Sequence, residues 1–335
     1  MVMHDREDEV PMNLLKIMRM LRSYQATDPR DKVYAALNLA SDQQVGKIRI
    51  DYSPMNSPED VYVDVAKYFL EEYKTLDWMD PVAFRCLHDL PSGVPDWSIN
   101  NWLGPLEKYK RFGNETSGSF YCAAGRYTVL YDEQGNVKAP GVVHGTKLHL
   151  QGVLIDRIES VGDAVREHGL EMQLSWYQLI TDASSPYPFT GESKQEAFQR
   201  ILTGDTMIAT NGDPIRHPDL NLCLPIDFGH KPIRIANPLP ITPPHNPYGQ
   251  IFLASSMTGK RQFAVTRSGY MGLVPDGARA GDWVCMLLGG KVLYVLREAE
   301  SNQYRMAGEC YMHGLMDGQS LDMLRSGGVR KIIVL

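Results

Sequence analysis

The stretch RQFAVTRSGYMGLVPDGARAGDWVCMLLGGKVLYVLREAESNQYRMAGECYMHGLMDG, residues Arg261 to Gly318, decides the fold. Gln262 to Val265 alternates between polar and apolar, as a strand with one face buried does. Gly269-Tyr270-Met-Gly272 marks a turn or bulge, and Trp283 to Leu288 is an apolar run of strand length. Gly289-Gly290 is a favoured two-residue hairpin connection into Val292 to Arg297, and a further strand is expected over Tyr304 to Tyr311. Four short strand segments with turn residues between them read as an antiparallel meander.

Upstream, Phe120 to Ala123, Tyr127 to Tyr131 and Lys147 to Val161 carry the same period-two signal, with a turn at Asp132 to Asn136. Helical spacing appears in Pro11 to Leu21, Asp31 to Leu39, Leu170 to Asp182 and Ser193 to Leu202. Ser57-Pro58-Glu59-Asp60 starts a helix expected to reach about Tyr73, with a capping serine, proline at the first position and acids on the first turn. Six of the 21 prolines fall between Lys231 and Tyr248, which excludes regular structure there and suits an ordered strap. Residues 1–110 thus read as mainly helical, 111–165 as strands joining the sheet, 166–248 as a helical insert with the strap, and 249–335 as the meander. The expected class is α+β: a helical layer packed on a mostly antiparallel sheet or small β-barrel, in one compact unit.

Composition narrows the function classes. The chain has 335 residues, 43% hydrophobic and 22% charged, enough to bury a substantial core. Its 34 basic and 40 acidic residues are interspersed, with no basic stripe to follow a phosphate backbone, so nucleic acid is not an expected partner. No apolar run reaches membrane-spanning length, and the acidic N-terminus is unlike a signal peptide; the expectation is a cytoplasmic protein with no membrane span. The five cysteines are scattered and lack a Cys-x-x-Cys pair, as buried thiols would be. The nine histidines show no tight ligand spacing, and Ala254-Ser-Ser-Met-Thr-Gly259-Lys260-Arg261 fails as a phosphate loop because Arg261 replaces the magnesium-binding hydroxyl. No metal and no cofactor is expected.

The motifs themselves resemble a known family. Gly269-Tyr270-Met-Gly272, Gly281-Asp282-Trp283-Val284 through Gly289-Gly290, and Tyr311 to Gly318 resemble, in this order, the C-terminal part of fungal heterokaryon-incompatibility (HET) domain proteins. Three upstream segments agree: Asp28-Pro29-Arg30-Asp31-Lys32-Val33-Tyr34 to Leu37, Leu90-Pro91 to Pro95-Asp96-Trp97-Ser98, and Tyr187-Pro-Phe-Thr-Gly191-Glu-Ser193 with Glu196-Ala197-Phe198. The family's N-terminal Leu-Ser-Tyr-x-Trp-Gly type motif, linked with a TIR-like fold and cell-death signalling, does not precede Asp28. The chain therefore looks like the downstream portion of a HET protein.

Candidate chemistry lies in three of these motifs. Tyr311 and His313 share a face if the strand continues through them, and a phenol beside an imidazole can donate, accept or relay a proton; alternatively both satisfy backbone where the chain leaves the sheet, with Asp317 capping a turn. Asp96 and Trp97, with Trp102 and Tyr270, either wall and orient a substrate pocket or plug a helix-sheet interface. Arg30 is a candidate anion contact, while helix initiation by Asp28 explains the same residues.

HET-like proteins also occur in fungal secondary-metabolite biosynthesis, and this resemblance implies a cofactor-free cyclase or pericyclase of the Diels-Alder type, like those that form the norbornene of sordarin-type diterpenes. Its substrate would be an apolar terpenoid or polyketide intermediate, with Tyr311 and His313 as catalytic donors and Trp97, Asp96, Tyr270, Trp102 and Arg30 as substrate contacts. The competing expectation is a non-catalytic HET-derived binding or regulatory module of incompatibility or immunity signalling.

Overall fold

The computed structural model describes residues 12–41, 45–79, 89–99, 106, 121–164, 176–208, 214–218, 254–300, 302–325 and 328–335. Helices α1 (Leu14–Met20), α2 (Asp31–Leu37) and α3 (Pro58–Tyr68) form the expected N-terminal layer, and α3 continues into a wider turn over Phe69–Tyr73. Two of them start where the sequence supplies an acceptor. Asn13 caps α1, and Ser57 and Asp60 form a reciprocal capping box on α3. Asp28 accepts from the Arg30 amide but does so one turn early, so Asp28-Pro29-Arg30 forms a tight turn and α2 begins at Asp31.

Strands follow in chain order: β1 (Leu130–Tyr131), β2 (Val137–Lys138), β3 (Gly141–His144) and β4 (Lys147–Val161). After α4 (Lys194–Leu202) come β5 (Thr206–Ile208) and β6 (Pro214–Arg216). The meander supplies β7 (Arg261–Thr266), β8 (Met271–Pro275), β9 (Trp283–Leu287), β10 (Leu293–Glu300) and β11 (Gln303–Met312); α5 (Leu321–Arg325) and β12 (Arg330–Val334) end the chain.

Six strands close into an antiparallel barrel, because β7 pairs with β8, β8 with β11, β11 with β10, β10 with β9, β9 with β4 and β4 back with β7. Closure leaves this ring without an edge. The 15-residue β4 makes it possible: irregularities at Leu154/Asp156 and Ile158/Ser160 bend it from β9 toward β7, the usual effect of a bulge. Its first half also pairs with β3 and β12, and β12 runs parallel to β11. Strand β8 is buried throughout, since one face lines the barrel and the other is covered.

Three expectations shift. Residues 121–123 form no strand, because Cys122 and Ala123 donate instead to the loop carbonyls of Met316 and Lys291, and Gly125–Thr128 turns as a 3-10 helix. Between β9 and β10 the connection is Leu288 to Val292 rather than two residues. Gly289, at φ 89°, leaves room for Pro140, whose Cβ lies 2.3 Å from where a side chain would start. Of Leu170 to Asp182, residues 170–175 lie outside the described residues, and only 176–177 are helical in the remainder. The proline-rich strap, residues 231–248, and Trp102 also lie outside the described residues. No helix among the described residues is long and apolar enough to cross a membrane.

Candidate functional site

Strand β11 ends at Met312, and Gly314 at φ 83° then reverses the chain. This carries Tyr311 and His313 to the rim of the barrel, where the His313 amide donates to Met271 of β8. From the other side Tyr187, fully buried, donates its hydroxyl to the His313 carbonyl (3.0 Å) and accepts from the Met271 amide (3.1 Å). The loop after Tyr187 is thereby held against the β8–β11 seam, and it delivers Glu192.

Glu192 and Tyr311 sandwich the His313 imidazole. The Nε2 atom lies 2.6 Å from a Glu192 carboxylate oxygen and Nδ1 lies 2.9 Å from the Tyr311 hydroxyl. A carboxylate only accepts, so Nε2 carries a proton, and in the neutral form of the ring Nδ1 takes the Tyr311 O–H. Burial acts to raise the Glu192 carboxyl, but hydrogen bonds from His313, Thr190 and Arg200 outweigh it and hold the group at about 2. Burial, with Asp205 nearby, pushes the Tyr311 phenol well above its ordinary value, so it stays protonated. The three residues form a buried relay from phenol to imidazole to an anchored carboxylate.

A second chain of contacts extends from Glu192. Arg200 of α4 donates Nε to Glu192 (2.7 Å) and NH1 to Asp205 (2.8 Å), and the other Asp205 oxygen meets His217 Nδ1 at 2.5 Å. Arg216 of β6 lies over the Tyr121 ring and gives one NH2 to both oxygens of Asp317, at 3.0 and 2.9 Å. Burial works against the Arg216 charge, but Tyr121, Tyr311 and Asp317 outweigh it and raise its pKa further. Asp205 and His217 both adopt left-handed backbone, φ 54° and 51°, where the chain enters and leaves the β5–β6 hairpin. Such conformations are costly for non-glycine residues and persist where the surroundings fix them. Between these groups lies a cleft of about 220 Å³, lined by Glu192, Arg200, Asp205, Arg216, Tyr311, His313 and Asp317 among others.

Of the residues singled out from sequence, Tyr311 and His313 stand together in this cleft. Tyr270 is close by, stacked on Phe189 with ring centroids 3.5 Å apart, but it faces that ring and is not among the residues lining the cleft. Trp97 is buried in the helical layer, edge-on to Tyr62 and Phe69. Asp96 accepts from the Ser98 amide and hydroxyl beside it, and Arg30 is tied to Asp28 and to the carbonyls of Ser53 and Asn56. Asp317 pairs with Arg216 rather than capping a turn with its side chain.

Sequence reading missed Glu192, Arg200, Asp205, Arg216 and His217. A usable signal was present for the first: Ser193 and Glu196 already complete the capping box of α4, which leaves the adjacent Glu192 without a local role. Among the described residues, no three His, Cys, Asp or Glu side chains are grouped as metal ligands.

A family match falls on this part of the molecule. Residues 246–326 match the Het-6 beta-barrel domain. Over this segment the chain is HET-like. It is also similar to heterokaryon incompatibility protein 6, OR allele, of the fungus Neurospora crassa, with 38% identity over 69 residues. That alignment covers 20% of this chain and 10% of the relative. No solved structure matches the chain significantly. The matched segment contains β7 to β11, five of the six barrel strands, and reaches through Tyr311, His313 and Asp317 of the cleft.

Proposed function

We propose that the chain serves a heterokaryon-incompatibility-related function in the cytoplasm, as a recognition module whose Het-6-like barrel presents the charged cleft to a small polar ligand. The observation that carries this reading is convergence. The loop of Glu192, the hairpin of Arg216 and the end of β11 come from distant parts of the sequence, yet their polar side chains meet around one void and bind one another. Expressing the wild-type chain and Arg216→Ala at equal levels in paired fungal tester strains, and scoring heterokaryon viability, tests it. Wild type is expected to trigger incompatibility and Arg216→Ala to lose it. No reaction from wild type, or an equal reaction from the variant, overturns the reading.

A second reading is favoured by one observation, the buried Tyr311–His313–Glu192 relay. In it the chain is a cofactor-free cyclase or pericyclase of fungal secondary metabolism, and Tyr311 and His313 polarise an apolar terpenoid or polyketide intermediate. The charged wall of the cleft weighs against so apolar a substrate. Incubation with a linear diene–dienophile precursor decides: a product ratio identical to that of the spontaneous reaction removes the cyclase.

A further inference from the structure

The cleft holds an imbalance between donors and acceptors. Glu192 accepts from His313, Thr190 and Arg200, and both oxygens of Asp205 are engaged by Arg200 and His217. Its carboxylates are thus satisfied internally. The donors are not: Arg216 Nε is buried and has no hydrogen-bond partner among the described residues. A guanidinium binds a carboxylate best as a fork, through two parallel N–H groups. Asp317 instead takes both of its bonds from a single nitrogen, NH2, and leaves Nε empty. The buried cation is paired, but incompletely.

Asp317 is also the most weakly held acid in the cleft. Its side chain is 35% exposed, against 3% for Asp205. It sits on a turn bracketed by Gly314 and Gly318, both at positive φ, in which Leu315 and Met316 are buried while the Asp317 side chain reaches solvent. Arg216 itself is fixed by the carbonyls of Gly204 and Asp205 and by the Tyr121 ring. The cation is fixed, and of its two carboxylate neighbours Asp205, at 3.6 Å, is buried while Asp317 is the one that meets solvent.

Building on the recognition reading, we infer that Asp317 is an internal stand-in for the ligand, and that the cleft binds a small-molecule carboxylate which displaces Asp317 from Arg216 and completes the fork through Nε and NH2. A carboxylate is favoured over a phosphate because the group to be displaced is itself a planar carboxylate, already seated on Arg216 through both of its oxygens. The volume is far more than a single water needs. Displacement also gives the barrel a reporter, because a ligand that takes Arg216 frees the Asp317 carboxylate for another contact.

The test uses the full chain and sodium succinate as the probe, titrated calorimetrically at constant ionic strength, with inorganic phosphate as a parallel arm. Wild type is expected to bind succinate weakly because Asp317 competes. Asp317→Ala is expected to bind at least tenfold more tightly, and Arg216→Lys, which keeps the charge and loses the fork, at least tenfold more weakly than wild type. Circular dichroism establishes that each variant is folded; should Arg216→Lys not fold, the Asp317→Ala comparison alone decides. Equal affinity of Asp317→Ala and wild type, no succinate binding by either, or tighter binding of phosphate than of succinate overturns the inference. Succinate binding as expected together with an undiminished tester-strain reaction in Arg216→Ala would sink the recognition reading and leave the carboxylate site standing.

Discussion

Two buried polar clusters in this molecule look alike in composition and differ in what their side chains touch. In the helical layer, Arg22 donates to the Asp96 carbonyl (2.7 Å), Lys32 to the Arg22 carbonyl (3.2 Å) and Tyr62 to the Pro29 carbonyl (2.8 Å), while Asp96 accepts from the Ser98 amide. At the barrel rim, Tyr311 meets His313, His313 meets Glu192, Arg200 bridges two acids and Arg216 holds a third. The first cluster spends side chains on backbone groups that would otherwise be buried without partners, which is what irregular chain under a core requires. The second also donates to carbonyls from Arg216 and Arg200, but it joins side chains of distant segments to one another and borders a void. Partner identity, more than residue type, separates the scaffold from the site.

The largest effects should fall on the scaffold. Trp97, 2% exposed and edge-on to Tyr62 and Phe69, anchors the helical cluster. Trp97→Ala is expected to cost about 3–5 kcal/mol, the usual range for emptying an aromatic site, read as a lower urea midpoint. A loss below about 1 kcal/mol would mean that the helical motifs are not structural, and the contrast with the barrel would fail. Close behind comes the seam that carries the cleft. A Cβ on Gly272 would lie 2.0 Å from the Tyr311 carbonyl oxygen, so Gly272→Ala should force β8 and β11 apart. The expected loss is about 3 kcal/mol, with Tyr311 and His313 displaced together.

Much of this was legible in the sequence, and the exceptions share a cause. The alternation in Lys147 to Val161 and the apolar run from Trp283 appear as β4 and β9, because strand periodicity is local and needs no knowledge of partners. Barrel closure was within reach as a class but its register was not, since β4 changes partners through irregularities that leave no mark on its hydrophobic pattern. The site divided in the same way. Tyr311 and His313 lie two residues apart and could be read as a pair, whereas Glu192 and Arg216 reach them only by tertiary folding. Trp97 could be read as a pocket wall or as an interface plug, since a proline-bounded segment reads the same in both settings, and it is core.

Acidity provides a smaller, directional probe of the same contrast. The Glu192 carboxyl is lowered from 4.5 to about 2, so on acidification the unfolded chain takes up that proton before the folded chain does. The stabilisation is therefore complete above about pH 4.5 and is lost as pH falls toward about 2. Allowing for the part of the carboxylate that meets solvent, it amounts to about 1–3 kcal/mol. In Glu192→Gln this pH-dependent component should vanish, so the stability gap between wild type and variant should narrow between about pH 5 and pH 3. Parallel urea unfolding curves for the two proteins, with a constant gap across that window, would show that Glu192 is not the anchored end of the relay.

The smallest effect on stability is the most informative about function. Tyr62 and Tyr311 are both buried phenols with one hydroxyl contact, Tyr62 to a backbone carbonyl and Tyr311 to an imidazole nitrogen. Replacing either by phenylalanine removes a single hydrogen bond and keeps the ring, which should cost about 1 kcal/mol in each case. Thermal unfolding should therefore hardly distinguish Tyr62→Phe from Tyr311→Phe. Their effects on His313 should separate them. Without the phenol, Nδ1 loses its donor while Nε2 stays on Glu192, so the Nδ1 nitrogen resonance of His313 is expected to move in Tyr311→Phe and to remain fixed in Tyr62→Phe. The tester-strain reaction should weaken only where that resonance moves. If Tyr62→Phe weakened it equally at the same stability, the helical cluster would have to be counted as part of the site, and partner identity would not distinguish the two regions.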